Sequence, residues 1–162
     1  MALHLDGILG HLAAASKAVF GKQTFESRLL TQKATFLLKA LGYPEANFSY
    51  GSHLRGVYSP ALAREYYAWP ELEPELQPEL ANDARITLAV QGIELGSFGL
   101  EAATSMLQVL SKNPGMPSNA LLDHIAMIKP HVRGEIDKAW AYLCRVQLVV
   151  PDGSGWRTIR PV

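Results

Sequence analysis

Apolar side chains at Leu5, Ile8, Leu9, Leu12, Val19 and Phe20 return at helical spacing along residues 3–20 and draw one stripe. The pattern predicts an amphipathic helix that Gly21 ends. A second helix is expected over 28–41, with Ser27 as its cap, Leu29, Leu30, Phe36, Leu37 and Leu41 inward, and Gly42 with Pro44 as the stop. Its stripe is broad, so it belongs near the centre of the fold. From Asn47 the period shortens: Phe48, Tyr50 and Leu54 fall on alternating positions, as in a half-buried strand, leaving Ser49 and Arg55 outward and Gly51 free to bend.

After Gly56, the pair Ser59-Pro60 reads as a helix start, serine capping and proline at the first helical position, where its missing N–H costs nothing. That helix runs from 60 to about 68 and carries Leu62, Tyr66 and Tyr67. "PELEPELQPEL", residues 70–80, repeats Pro-Glu-Leu every four residues, and Pro74 and Pro78 forbid an unbroken helix. A loop pinned by Leu72, Leu76 and Leu80 is expected there, and residues 82–94 fit either a helix or a strand, the helix being favoured. Three further helices follow: 99–112, one capped by Ser118 and stopped by Pro130, and 133–146 with Ile136, Ala139, Trp140, Leu143 and Cys144 aligned. Two short strands around Asp152-Gly153 close the chain. The expected fold is mainly α with a small β component. An N-terminal helical part, 1–97, carries the strand and turn; a C-terminal winged-helix-like part, 98–162, has three helices plus a hairpin, and the two pack as one unit.

Composition narrows the function classes. With 162 residues the chain can bury a core without staples, and the single cysteine, Cys144, excludes an internal disulfide framework and fits a reducing cytoplasm, where it reads as a buried inert thiol. No apolar run reaches the roughly 18 residues of a membrane helix, so no membrane association is expected. The glycosylation sequon at Asn47 reads as chance in a chain with no export signal. Net charge is zero, with 8 basic against 10 acidic residues up to 97 and 7 against 5 beyond. Residues 65–83 hold six acids and no base, a solvated connection or an acidic contact segment.

Candidate chemistry is sparse. The five histidines are dispersed and only one cysteine could join them, so no metal is expected, nor any cofactor. Ser52, His53 and Glu65 could be assembled into a small hydrolase, yet neighbours on a strand face opposite sides, which sets Ser52 against His53. No nucleophile elbow or phosphate loop is present, and no catalytic residue is assigned. DNA contact is the second reading: Arg133, Lys138, Arg145, Arg157 and Arg160 lie on the third C-terminal helix and wing, offset by Glu135 and Asp137. Tyr58 reads either as packing over its turn or, with Arg55, Tyr66, Tyr67 and Trp69, as an aromatic patch for a protein partner.

The segments "LLTQKATFLLKALGY", "FSYGSHLRGVYSPALAREYY", "LEAATSMLQVLSKNPG" and "IKPHVRGEIDKAWAYL" resemble, in order, the YwgA-like proteins of bacteria and archaea and, more remotely, the Panacea antitoxin domain that includes the SocA proteolysis adaptor. The likeness spans about residues 27–148. Its motif, a Gln-Lys pair on a helix followed by a Gly-Pro turn with Tyr-Ser, is matched by Gln32-Lys33 and Gly56-Val57-Tyr58-Ser59, with Val57 at the proline position. The resemblance implies a non-enzymatic helical module of toxin-antitoxin or phage-defence settings that neutralises or delivers a protein partner, a toxin or other effector, by direct contact.

Overall fold

A computed structural model describes residues 3–162. Helix α1 spans Leu5–Ser16, shorter than its stripe suggests. The Ser16 hydroxyl donates to the Leu12 carbonyl and Lys17 adopts a left-handed conformation whose N–H returns to Ala13, so the helix closes before Val19. Val19, expected in the apolar stripe, is instead 65% exposed, whereas Phe20 reaches the core.

Helix α2, Phe25–Ala40, is buried on nearly every side from Thr31 to Leu38, the central position its sequence implied. Its cap is Thr24, three residues before the expected one: the Thr24 oxygen accepts the Ser27 N–H at 3.0 Å, and Ser27 is itself helical. A 3-10 turn over Pro44–Ala46 follows. The long alternating strand does not form. Phe48 and Tyr50 lie ahead of a small hairpin, β1 (Gly51–His53) and β2 (Gly56–Tyr58), with Leu54 at its tip, 85% exposed instead of facing inward. Tyr50 leaves the strand path because its ring packs edge-on against Phe36 at 5.1 Å and its hydroxyl donates to the Ala46 carbonyl.

Helix α3, Pro60–Ala68, starts as expected, the Ser59 oxygen accepting the Leu62 N–H at 3.2 Å. The Pro-Glu-Leu stretch is a strap with one 3-10 turn at Pro78–Leu80. It docks on α1 through the Glu75 N–H to the Gly10 carbonyl at 3.1 Å and the Gln77 N–H to His11 Nδ1 at 2.8 Å. A side chain at Gly10 would meet the Glu73 carbonyl at 2.8 Å, so this close passage requires glycine. Leu80 is buried and Leu72 half-buried, but Leu76 stays 64% exposed and pins nothing.

Helix α4, Ala84–Ile93, replaces helix-or-strand ambiguity with a helix capped by Asp83. Helices α5 (Ser97–Lys112), α6 (Ser118–Ile128) and α7 (Ile136–Arg145) follow, a 3-10 segment over Pro130–Glu135 taking the expected first turn of α7. Ser118 does not cap α6, which begins after Pro117. The hairpin β3 (Val149–Asp152) and β4 (Gly155–Thr158) turns at Gly153 and Ser154, and Trp156 bridges to Met116. One apolar cluster runs through both halves of the chain, from Leu9 and Leu37 to Leu107 and Leu143. Over the described residues the fold is mainly helical with two antiparallel hairpins. Among the described residues no helix is long and apolar enough to cross a membrane.

Candidate interaction surface

Strands of three residues cannot stand alone in water. The β1–β2 hairpin persists because three helices hold it with polar side chains. From α2, the Gln32 amide lies along the end of β2: its oxygen accepts the Ser59 N–H at 2.8 Å and its nitrogen donates to the Ser59 carbonyl at 3.0 Å. Both residues are buried, so the amide substitutes for a neighbouring strand: it satisfies the Ser59 N–H, which water cannot reach, and adds a second donor to a carbonyl that also accepts the Ala63 N–H. From α5, Gln108 donates to the Gly51 carbonyl at 3.1 Å and accepts the Ser52 hydroxyl at 3.2 Å. From the end of α6, the Lys129 ammonium donates to the carbonyls of His53 and Leu54 at 3.3 and 3.2 Å.

Beneath the hairpin sits an ion cluster. Glu101 of α5, 1% exposed, meets Lys33 at 3.5 Å, Lys129 at 3.2 Å and His131 Nε2 at 2.6 Å. Burial by itself would raise the Glu101 carboxyl; the His131 hydrogen bond and the two ammonium charges outweigh it and hold it below the usual carboxylate range. Burial lowers the Lys33 ammonium, with Glu101 opposing. Gly56 crosses this cluster at φ +123°, where a Cβ would come within 3.1 Å of Lys33 Cε and 3.6 Å of Glu101 Cγ. The Gln-Lys pair and the Gly-Val-Tyr-Ser turn, 23 or more positions apart in sequence, are therefore one packed unit.

What this unit presents outward is the hairpin tip. Leu54 and Arg55 are exposed, and the Arg55 guanidinium stands 5.6 Å from the ring of Phe25, itself 49% exposed. Tyr58 is half-buried with its ring 4.8 Å from His53. The five residues expected to form a partner patch divide. Arg55 and Tyr58 belong to the hairpin, while Tyr67, 55% exposed, and half-buried Trp69 belong to the end of α3, where their carbonyls accept Lys22. Tyr66 is 2% exposed, packed inside with its hydroxyl near Gln32, and presents nothing to a partner. Helical geometry explains the split: Tyr66 shares its face with buried Leu62 and Ala63, and Tyr67 is turned a quarter-turn away.

Sequence reasoning missed Phe25, Leu54, Glu101, Lys129 and His131. One signal was present. Glu101, Ser105 and Gln108 form a polar stripe at helical spacing on α5 that reads as a solvent face, yet all three are buried under the hairpin.

The other candidate groupings fare differently. Ser52 bonds Gln108 and His53 stacks on Tyr58, both beside a groove of about 270 Å³; Glu65 lines a separate concavity with His4, Asp6, Glu45, Phe48 and Trp69. The Ser52, His53 and Glu65 constellation is not assembled. Of the cations expected to touch DNA, Lys138 pairs with Glu135 at 2.6 Å and the Arg160 guanidinium donates to the Ala40 carbonyl at the end of α2. Arg157 donates to the carbonyl of its neighbour Thr158, Arg145 lies 5.7 Å from the Tyr142 ring, and Arg133 is exposed on the 3-10 segment. Cys144 is half-buried and burial pushes its thiol up, away from thiolate reactivity. Among the described residues no three His, Cys, Asp or Glu side chains are grouped to hold a metal. The chain matches no family model, no curated protein and no solved structure.

Proposed function

We propose that this chain is a protein-contact module of antitoxin or adaptor type that grips its partner with the β1–β2 hairpin. The observation that carries this reading is the investment of buried polar groups in holding so short a hairpin. Gln32, Lys33, Glu101, Gln108 and Lys129 all serve it, while its tip holds Leu54 85% in water. A solvent-facing leucine on a pre-organised support gains little for the fold. It suits recognition, where rigidity before binding removes part of the ordering cost of association. Arg55 and Tyr58 belong to residue types favoured at binding hot spots, and Tyr67 with Trp69 extends the contact along α3. The antitoxin or adaptor role rests on the resemblance of the Gln-Lys and Gly-Val-Tyr-Ser segments, which the fold joins into one unit.

The test is a pull-down from the native host with wild type, Leu54→Asp and Tyr58→Ala, followed by binding of the captured protein in purified form. Leu54→Asp alters only an exposed side chain and should leave unfolding unchanged while weakening the partner at least tenfold. A partner bound equally by wild type and by both folded variants would refute the hairpin as the contact.

A further inference from the structure

The face around the hairpin tip has a chemical character that defines what it takes. Four large apolar side chains lie in water there. Leu54 at 85% and Ile128 at 47% flank one groove; Phe25 at 49% lies 5.6 Å from the Arg55 guanidinium; Phe98 at 46% stands 5.6 Å from the ring of His131, which bonds Glu101. On a surface that otherwise scatters its exposed apolar groups, this concentration marks an interaction site.

Charge on the same face is one-sided. Exposed Arg55 and half-buried Arg28, the latter 5.9 Å from the Phe25 ring, stand at the tip, and beneath it the buried Lys33 and Lys129 bring two ammonium groups to the single carboxylate of Glu101. Of the carboxylates nearby, Glu101 is spent on Lys33, Lys129 and His131, and Glu135 is taken by Lys138, leaving Glu26 on the first turn of α2. The acids of the chain are instead concentrated in residues 65–83, whose strap docks on α1. A positive, apolar face on a neutral protein complements a negative, apolar partner and repels a basic one.

The mode of contact is also constrained. The carbonyls of Gly51, His53 and Leu54 are already occupied by Gln108 and Lys129. Adding a strand to β1 would require displacing both, so the partner is read through side chains.

We infer that the hairpin face binds an acidic peptide segment of another protein, one carrying large apolar side chains between its carboxylates; this rests on the protein-contact reading above. Leucine or aromatic anchors pack among Leu54, Phe25 and Ile128, and Asp or Glu side chains meet Arg55 and the cluster edge. Exposed leucine and isoleucine favour a peptide over a nucleic acid, whose sites are built from cations and stacking aromatics.

The experiment pans a displayed library of random 16-residue peptides against the whole protein, then measures enriched peptides by fluorescence anisotropy. Expected are sequences of net negative charge with at least two large apolar residues. Their binding should weaken at least tenfold in Leu54→Asp and in Arg55→Glu, fall as salt rises, and vanish when their Asp and Glu are replaced by Lys. Enriched sequences that are neutral or basic, yet lose binding in Leu54→Asp, would overturn the acidic partner and leave the contact surface standing. Acidic sequences that bind both variants as well as wild type, or no enrichment at all, would overturn the surface itself. Equal competition by a single-stranded oligonucleotide, or a concentration-dependent dimer in sedimentation that Leu54→Asp abolishes, would replace the peptide with nucleic acid or with a second copy.

Discussion

The described residues contain two antiparallel hairpins built on opposite principles. The C-terminal one is held by apolar packing: Val149 and Leu148 are buried, Trp156 meets Trp140 edge-on at 5.2 Å, and Met116 extends the ladder. The β1–β2 hairpin is held by amides and ions, with only Val57 of its strand residues deep in the core. Apolar packing tolerates small shifts because dispersion has no direction. Hydrogen-bonded ion clusters do not, because each group has one geometry that satisfies it. The first device makes a stable edge to the fold; the second fixes a tip at a defined place and makes it sensitive to single changes and to pH.

Glu101→Ala should break this symmetry most. It strands Lys33 and Lys129 in the interior without a counter-charge, at a cost of about 3–5 kcal/mol. Hydrogen exchange should show residues 51–58 losing protection while 149–158 keep theirs relative to global stability. Equal loss in both hairpins would mean that the cluster supports the whole core and not the hairpin in particular.

Gln32→Leu comes next, since it orphans the buried Ser59 N–H while the Ser59 carbonyl keeps the Ala63 N–H, costing about 1–3 kcal/mol. Urea unfolding measures it, and a change below about 0.5 kcal/mol would show that Ser59 finds other partners. The glycines provide a matched pair. Gly56→Ala combines positive φ with a Cβ 3.1 Å from Lys33, whereas Gly153→Ala has φ +61° and open space around it. The first should cost about 2–3 kcal/mol and the second about 1 kcal/mol; the reverse order would contradict the packing of Gly56 on the cluster.

The smallest effect is a pH dependence. His11 accepts the Gln77 N–H, so the fold keeps it neutral, and burial lowers it from the ordinary 6.5. The unfolded chain takes that proton first, and the strap's stability, complete above pH 6.5, declines below it. Glu101 is held below its ordinary 4.5 in the fold, so its contribution is complete above that pH and is lost as pH falls through the folded value. Acidification should therefore loosen first the strap and then β1–β2, leaving β3–β4 protected, as residue-level exchange would reveal. His11→Asn should remove the first step and retain the second.

Much of the architecture was legible because it is written in neighbouring residues. The Ser59-Pro60 start, the breaks at Pro74, Pro78 and Pro130, the α4 helix and the three helices followed by a hairpin each depend on groups within a few positions of one another. Cap identity was less legible. Thr24 and Ser27 are both competent, and the choice between them depends on where Phe25 can enter the helix.

The candidate surface was readable only in part. Arg55, Tyr58, Tyr67 and Trp69, singled out by residue type, lie exposed or half-buried, but Tyr66 was placed on the wrong side of α3, and the exposed Leu54 and Phe25 were taken for, or hidden among, core positions. Hydrophobic residues that serve recognition look like core residues in a one-dimensional pattern, since both follow the same periodicity.

By itself the sequence determined the helices, their order, the broad central α2 and the turn chemistry around Gly56 and Ser59, because propensity, capping and proline geometry act over a few residues. Only the tertiary structure decided that a polar stripe on α5 would be buried, that Gln32 would stand in for a strand, and that Lys33, Glu101, Lys129 and His131 would meet. Their pairing depends on desolvation, and whether a charge is desolvated is settled by segments 27 to 76 residues away that come to lie over it.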